Sequence, residues 1–261
     1  MDPQSMRADY ARNGYLIIRG VLDPEAIRRV SDHVQWLQQR NPHLRPEQLH
    51  HWLMWEDPFW LGLIADRRLL DCVEPLIGGD IALFASHYIC KPGGDGLQVL
   101  WHQDGSYWPL KPMDVITVWL AVDASTPENG CMRVIPGSHL GTLLPHQAHQ
   151  KSAVLGSELP EEGLDTTSAV DLVLEPGDIS IHHPLLIHGS SANNSPRRRC
   201  GLTIRYIPTS TEITRDDWRS FLLRGESRPG LNRYFNRPEY DPNLHFGEWE
   251  PVGDSHQVRP Y

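Results

Sequence analysis

Between Ile81 and Ile207 the chain is a succession of short apolar runs cut by turn signals, and nothing else in it limits the fold so strongly. The runs are Ile81–Cys90, Gln98–Asp104, Val115–Val122, Met132–Ile135, Asp171–Leu174, Asp178–His183 and Arg199–Ile207. Between them stand Lys91-Pro-Gly-Gly94, Pro127-Glu-Asn-Gly130, Pro136-Gly-Ser138 and Glu175-Pro-Gly-Asp178, whose Pro and Gly set the tight backbone angles of turns. β-branched and aromatic residues fill the runs, and no helical periodicity separates them. Parallel pairing needs long helical crossovers, so these strands are expected to pair antiparallel, as a sandwich or jelly roll.

The flanks read differently. Asn13-Gly14 precedes a short apolar run, Tyr15–Ile18, which reads as a strand leaving a turn. Asp23-Pro24 supplies an N-cap and a first-turn proline, and Ile27, Val30, Val34 and Leu37 then recur at helical spacing. A second helix is expected from Arg67 to Ile77, ending at Gly78-Gly79. Trp52, Trp55 and Trp60 read as core or pocket wall. Residues 140–170 form a long polar insertion without clear periodicity, which in a compact domain reads as a lid or an unstructured segment. From Thr211 onward a tail rich in Arg, Pro and Asn carries Trp218, Tyr234, Phe235 and Trp249 as anchors. No linker or internal repeat divides the chain. Residues 1–261 are expected to form one domain: a helical flank to about 80, a β core over about 81–210, and the tail 211–261.

A chain of 261 residues that is 39% hydrophobic, with nine Trp, can bury a sizeable core. Its net charge of −9 argues against a nucleic-acid partner. Cys72, Cys90, Cys131 and Cys200 are scattered and form no CxxC pair, so they are expected to be reduced core thiols rather than a disulfide framework. No apolar signal region opens the chain, and no apolar run approaches the length of a membrane span. A cytoplasmic protein with no membrane partner is expected.

Within Trp101-His-Gln-Asp104, His102 and Asp104 are one residue apart. In an extended segment they point to one face, so an imidazole and a carboxylate converge. A second histidine would complete a two-His, one-carboxylate triad, a donor set that leaves coordination positions open and suits non-haem Fe(II). His182, His183 and His188 compete for that place. His182 and His188 share parity, but Pro184 interrupts the strand between them, and the residues alone leave the choice open. Eleven residues beyond His188, after Gly189-Ser-Ser-Ala-Asn-Asn-Ser-Pro196, Arg199 opens an apolar run. A hairpin of that length places Arg199 on the neighbouring strand, where a guanidinium can grip a carboxylate beside the metal. Arg197 and Arg198 read as a solvated charge cluster.

These motifs resemble the phytanoyl-CoA dioxygenase family of Fe(II)/2-oxoglutarate oxygenases. The resemblance covers residues 8–210 and rests on Asn13-Gly-Tyr-Leu-Ile-Ile-Arg-Gly-Val-Leu22, Trp101-His-Gln-Asp104, Thr126-Pro-Glu-Asn-Gly130, Val134-Ile-Pro-Gly-Ser-His139 and His188-Gly-Ser-Ser-Ala-Asn193 with Arg199. It implies a mainly β (α+β) fold, a double-stranded β-helix or jelly roll with N-terminal flanking helices. It implies that His102, Asp104 and His188 hold iron and that Arg199 pairs with the distal carboxylate of 2-oxoglutarate. Thr117 would donate its hydroxyl to that same carboxylate, and Trp119, on the same face, would wall the site. His139 would be a turn residue. The roles of Lys91 and Arg205 stay open. The implied cofactors are Fe(II), 2-oxoglutarate and O2, with ascorbate as reductant in vitro. The implied reaction is oxidation of a small molecule with release of succinate and CO2. Members that chlorinate have a small residue at the carboxylate position, so Asp104 points to hydroxylation or a related oxidation. Two other readings are a metal-dependent jelly-roll isomerase or oxygenase without 2-oxoglutarate, and a non-catalytic jelly-roll binding module. Substrate identity and oligomeric state are not readable from the chain.

Overall fold

The computed structural model describes residues 2–50, 53, 55–149, 152–160 and 162–250. Helix α1 (Pro3–Asn13) stops at Gly14, whose φ of 78° turns the chain into β1 (Tyr15–Ile18). An added Cβ at Gly14 would lie 2.4 Å from the His139 ring, so both backbone angle and space require glycine. In α2 (Pro24–Arg40) the Asp23 carboxylate accepts from the Glu25 and Ala26 amides, and Ile27, Val30, Val34 and Leu37 are all buried, as the periodicity requires. Helix α4 (Arg67–Ile77) has the expected bounds. Between them lies α3 (Pro58–Ile64), capped by Asp57. Its sequence is apolar all round, so it carries no amphipathic signature to announce it. Trp60 is fully buried there, Trp55 packs at the core edge, and Trp52 lies outside the described residues.

The strands are β2 (Ile81–Lys91), β3 (Val99–His102), β4 (Leu110–Lys111), β5 (Ile116–Ala121), β6 (Met132–Val134), β7 (Gln147–Ala148), β8 (Ser157–Glu158), β9 (Val170–Asp171), β10 (Ile179–His182), β11 (His188–Ser190), β12 (Arg199–Pro208), β13 (Glu212–Ile213) and β14 (Phe221–Arg224). All pairings between these strands are antiparallel. A six-stranded sheet runs β1-β10-β5-β12-β2-β14, and a four-stranded sheet runs β3-β11-β6-β9. This is the expected jelly-roll core with flanking helices.

Alternation along the large sheet decides which residues meet the helices and which meet the small sheet. Val118, Leu120, Leu202 and Ile204 join the helices in the main hydrophobic cluster. The opposite face of the same strands carries Thr117 and Trp119 on β5, and Arg199, Gly201, Thr203 and Arg205 on β12. Trp119 packs there with Met132 and Val134 of the small sheet.

Several expectations need correction. The strand over Gln98–Asp104 ends at His102, and Asp104 opens a 3-10 turn to Tyr107. Only Val170–Asp171 forms a strand where Asp171–Leu174 was expected, with Leu174 bridging singly to Ser125. The insertion is not without structure, since β7 and β8 pair within it. Part of the tail belongs to the core: β14 adds to the edge of the large sheet, and Trp218 stacks on Phe84. Cys90 and Cys200 are not reduced thiols but face each other across β2 and β12 and are joined as a disulfide, while Cys72 and Cys131 are free. A sequence separation of 110 hides that cross-strand adjacency. No helix among the described residues is long and apolar enough to cross a membrane.

Candidate active site

The inner faces of the two sheets enclose a cleft lined by His102, Asp104, Thr117, Trp119, His188 and Arg199. β11 pairs with β3 so that His188 sits directly opposite His102, which makes two distant histidines neighbours. Asp104 reaches the same point from the first residue of its 3-10 turn, with Gln103 extended between them at φ −118° and ψ 124°. The local same-face geometry therefore survives although the strand itself has ended.

His102 donates from Nδ1 to the Leu100 carbonyl at 2.8 Å, and His188 donates from Nδ1 to the Leu186 carbonyl at 2.9 Å. Each bond fixes the ring and leaves Nε2 as a lone pair, the usual arrangement of a ligating imidazole. The Asp104 Oδ1 atom lies 3.4 Å from His102 Nε2 and 3.9 Å from His188 Nε2. One ligand atom from each of the three residues falls within 4.8 Å of the others, and all three residues are buried. Burial opposes a charge on Asp104, but the close approach of the His102 and His182 rings, then the fields of His188 and Arg205, hold its carboxyl well below the ordinary range. Burial and the neighbouring imidazoles hold His188 well below the ordinary histidine value. Ionised carboxylate and neutral imidazole are the forms that bind a metal.

Of the competing histidines, His183 turns away, accepting from the Leu185 amide at Nδ1 and lying beside His139. His182 does reach the site. Its Nε2 lies 3.4 Å from Asp104 Oδ2, and neither ring nitrogen has a partner within hydrogen-bond geometry. The shared parity of 182 and 188 was a true signal, and the structure groups His188, not His182, with the other two metal-type donors.

Arg199 is 2% exposed and stacks over Trp119, with Cζ 5.3 Å from the ring centre. Its Nε and Nη2 are buried without partners. Burial lowers its pKa to about 10, so it stays charged at neutral pH. Lys91 lies close by and donates to Ser190 Oγ at 2.7 Å and the Ser191 carbonyl at 2.5 Å. Arg198 is not part of a solvated cluster. It forms a two-pronged pair with Asp123 at 2.8 and 2.9 Å and donates to Ser31, while Arg197 is exposed. His139 occupies the expected turn, with Nε2 3.2 Å from the Ala11 carbonyl.

Thr117 stands elsewhere than expected. Its register partner on β12 is Arg205, not Arg199, and its hydroxyl donates to Asp104 Oδ2 at 3.2 Å. Trp119 does line the cleft, and it depends on Gly201, because a Cβ at 201 would come within 2.0 Å of the indole. Gly201 carries no signal in the sequence, since only cross-strand register sets a ring against it. Gln103 was also missed. It stands between two candidate ligands and ties two loops to the site, donating to the Thr142 and Leu185 carbonyls and accepting from the Leu144 amide.

The phytanoyl-CoA dioxygenase (PhyH) family profile matches residues 10–201. A probable phytanoyl-CoA dioxygenase of Caenorhabditis elegans is 35% identical over 160 residues, covering 58% of this chain and 51% of its own. The chain thus spans about half the length of that relative. L-proline trans-4-hydroxylase of Streptomyces griseoviridis is 26% identical over 249 residues, covering 84% of this chain and 92% of its own. Among solved structures, apo ThoJ, described as a non-heme monooxygenase, superposes with a TM-score of 0.74 at 25% identity, covering 92% of this chain and 91% of its own. With most of its length matched by one profile and the whole jelly roll shared with such structures, the chain belongs to the phytanoyl-CoA dioxygenase family.

Proposed function

We propose that this protein is a non-haem Fe(II)- and 2-oxoglutarate-dependent dioxygenase that hydroxylates a small molecule, releasing succinate and CO2, and that residues 1–261 act as one catalytic unit. The observation that carries the reading is the pairing of a buried His-Asp-His group with a buried guanidinium whose Nε and Nη2 lack partners, in one cleft. A buried unpaired charge is costly unless a ligand completes it, and a dicarboxylate suits Arg199.

His102, Asp104 and His188 would hold the iron, which when bound supplies the oxidising chemistry. The protein's part is to orient and to exclude water. The Leu100 and Leu186 carbonyls keep the imidazoles in the ligating tautomer. Thr117 fixes the rotation of the Asp104 carboxylate. Trp119 backs Arg199, and Lys91 holds the Ser190–Ser191 backbone beside it. Leu155, from the insertion, lines the cleft.

Anaerobic titration with Fe(II) and 2-oxoglutarate tests the assignment through the visible absorption of the ternary complex. Wild type should bind one Fe(II) and form the band, and His188→Ala should lose metal binding. Arg199→Gln should bind iron normally but need roughly 100-fold more 2-oxoglutarate, the scale for breaking a buried charge pair. Arg197→Gln should match wild type. Loss of iron in His182→Ala with retention in His188→Ala would overturn the ligand set.

A further inference from the structure

β12 presents two buried guanidiniums to the cleft, and the proposed reaction uses one. Arg205 lies six residues beyond Arg199 on the same inward face, roughly 20 Å along the strand at about 3.3 Å per residue. It is 7% exposed, and Trp108 covers it with the ring centre 5.5 Å from Cζ. Its Nη1 donates to Thr203 Oγ1 at 2.8 Å and to His87 Nδ1 at 2.7 Å. A guanidinium offers only donors, so that His87 nitrogen is an unprotonated acceptor. Both partners are therefore neutral. The buried Nε has no partner at all. Asp104 acts on Arg205 only through its field, accepts a hydrogen bond from Thr117 and faces the histidines. Among the described residues Arg205 has no paired carboxylate, although a buried cation left without an anion costs several kcal/mol.

We propose that Arg205 anchors an oxyanion group of the primary substrate, so that the substrate is a small organic acid whose anionic head sits at the Arg205 end of the cleft. The inference rests on the proposed function and names the substrate class of that same site. Arg199 takes the cosubstrate's distal carboxylate at one end. Arg205 lies at the other, beside Asp104 and Thr117, where a substrate held by its head presents its C–H bonds to the metal. One cleft must admit cosubstrate and substrate together, which keeps the acid small. Carboxylate and phosphonate heads share the required chemistry.

The test compares matched sets of small carboxylic acids, their phosphonate analogues and their neutral amides, read by succinate release from 2-oxoglutarate. Acids or phosphonates should stimulate release and amides should not, and whichever head group is preferred identifies the oxyanion. Arg205→Gln should raise the KM of the best acid at least 30-fold, Arg205→Lys less, and both should still form the Fe(II)–2-oxoglutarate absorption band that Arg199→Gln forms only at high cosubstrate. Equal stimulation by amides would overturn the proposal. So would loss of the band in Arg205→Gln to the extent seen in Arg199→Gln, since Arg205 would then serve the cosubstrate. Absence of the band in wild type would sink the proposed function instead. The anchor is then judged on the apoprotein by thermal denaturation: stabilisation by acids over amides should vanish in Arg205→Gln and persist in Arg199→Gln, and any other pattern refutes it.

Discussion

Lys91 is the residue whose environment conflicts most with its charge. It is fully buried, and burial and then the charge of Arg199 pull its pKa from 10.5 to about 6. A folded-state value below the unfolded one means that the unfolded chain binds the proton more readily. Between pH 10.5 and about 6, each unit of falling pH therefore costs the fold up to about 1.4 kcal/mol from this group, and below about 6 the penalty is constant. Lys91→Met removes the term. In urea unfolding of apoprotein at about pH 6.5, 7.5 and 8.5, the stability of Lys91→Met minus that of wild type should grow as pH falls. A difference flat with pH would mean that Lys91 titrates normally. Saturating 2-oxoglutarate should shrink the slope, because an anion at Arg199 offsets the repulsion between the two cations.

At the scale of elements, the stretches 142–146 and 157–159 are held by residues beside the site. The Gln103 side chain donates to the Thr142 carbonyl and accepts from the Leu144 amide, its backbone amide donates to His146 Nε2, and the Leu159 amide donates to the Trp101 carbonyl. Tyr107 adds a bond to the Ser157 carbonyl. A ligand that shifts the 101–107 stretch must therefore move these stretches with it. Gln103→Ala should speed amide exchange at Leu144 by up to roughly tenfold, since a hydrogen bond is worth about 0.5–1.5 kcal/mol net. Amides in β5 should not change. Hydrogen exchange followed by mass spectrometry reads both, and unchanged exchange at Leu144 would show that the 142–146 stretch is held by packing alone. No helical or strand period marks this tether, because its bonds join loops to side chains and leave no pattern along the chain.

For the molecule as a whole, the last described residues pack on the helical flank. Trp249 is 8% exposed, packs edge-on against Phe59 at 5.3 Å and donates to Asp66 Oδ2 at 2.8 Å, while its backbone and Cβ lie against Gly62. It ties the 249 position to α3 and to the cap of α4. Trp249→Ala should cost about 3–5 kcal/mol and lower Tm by roughly 6–15 °C, whereas Trp249→Phe should keep most of the packing and lose about 1 kcal/mol. Calorimetry distinguishes these, and a neutral Trp249→Ala would show that the tail is dispensable. By itself the sequence determined what repeats along the chain. Apolar runs between turn signals set most of the strands, the Asp23 and Arg67–Ile77 patterns set two helices, and the one-residue spacing brought His102 and Asp104 together. Tertiary structure alone decided what lies across from what. Register between β11 and β3 put His188 opposite His102, and register between β12 and β5 gave Thr117 to Asp104 and left it facing Arg205. The same cross-strand register joined Cys90 to Cys200 and set Trp119 against Gly201. Local periodicity fixes only the face on which a side chain stands, whereas its partner depends on which strand folds alongside and with what offset, and neither is written within the span of a single element.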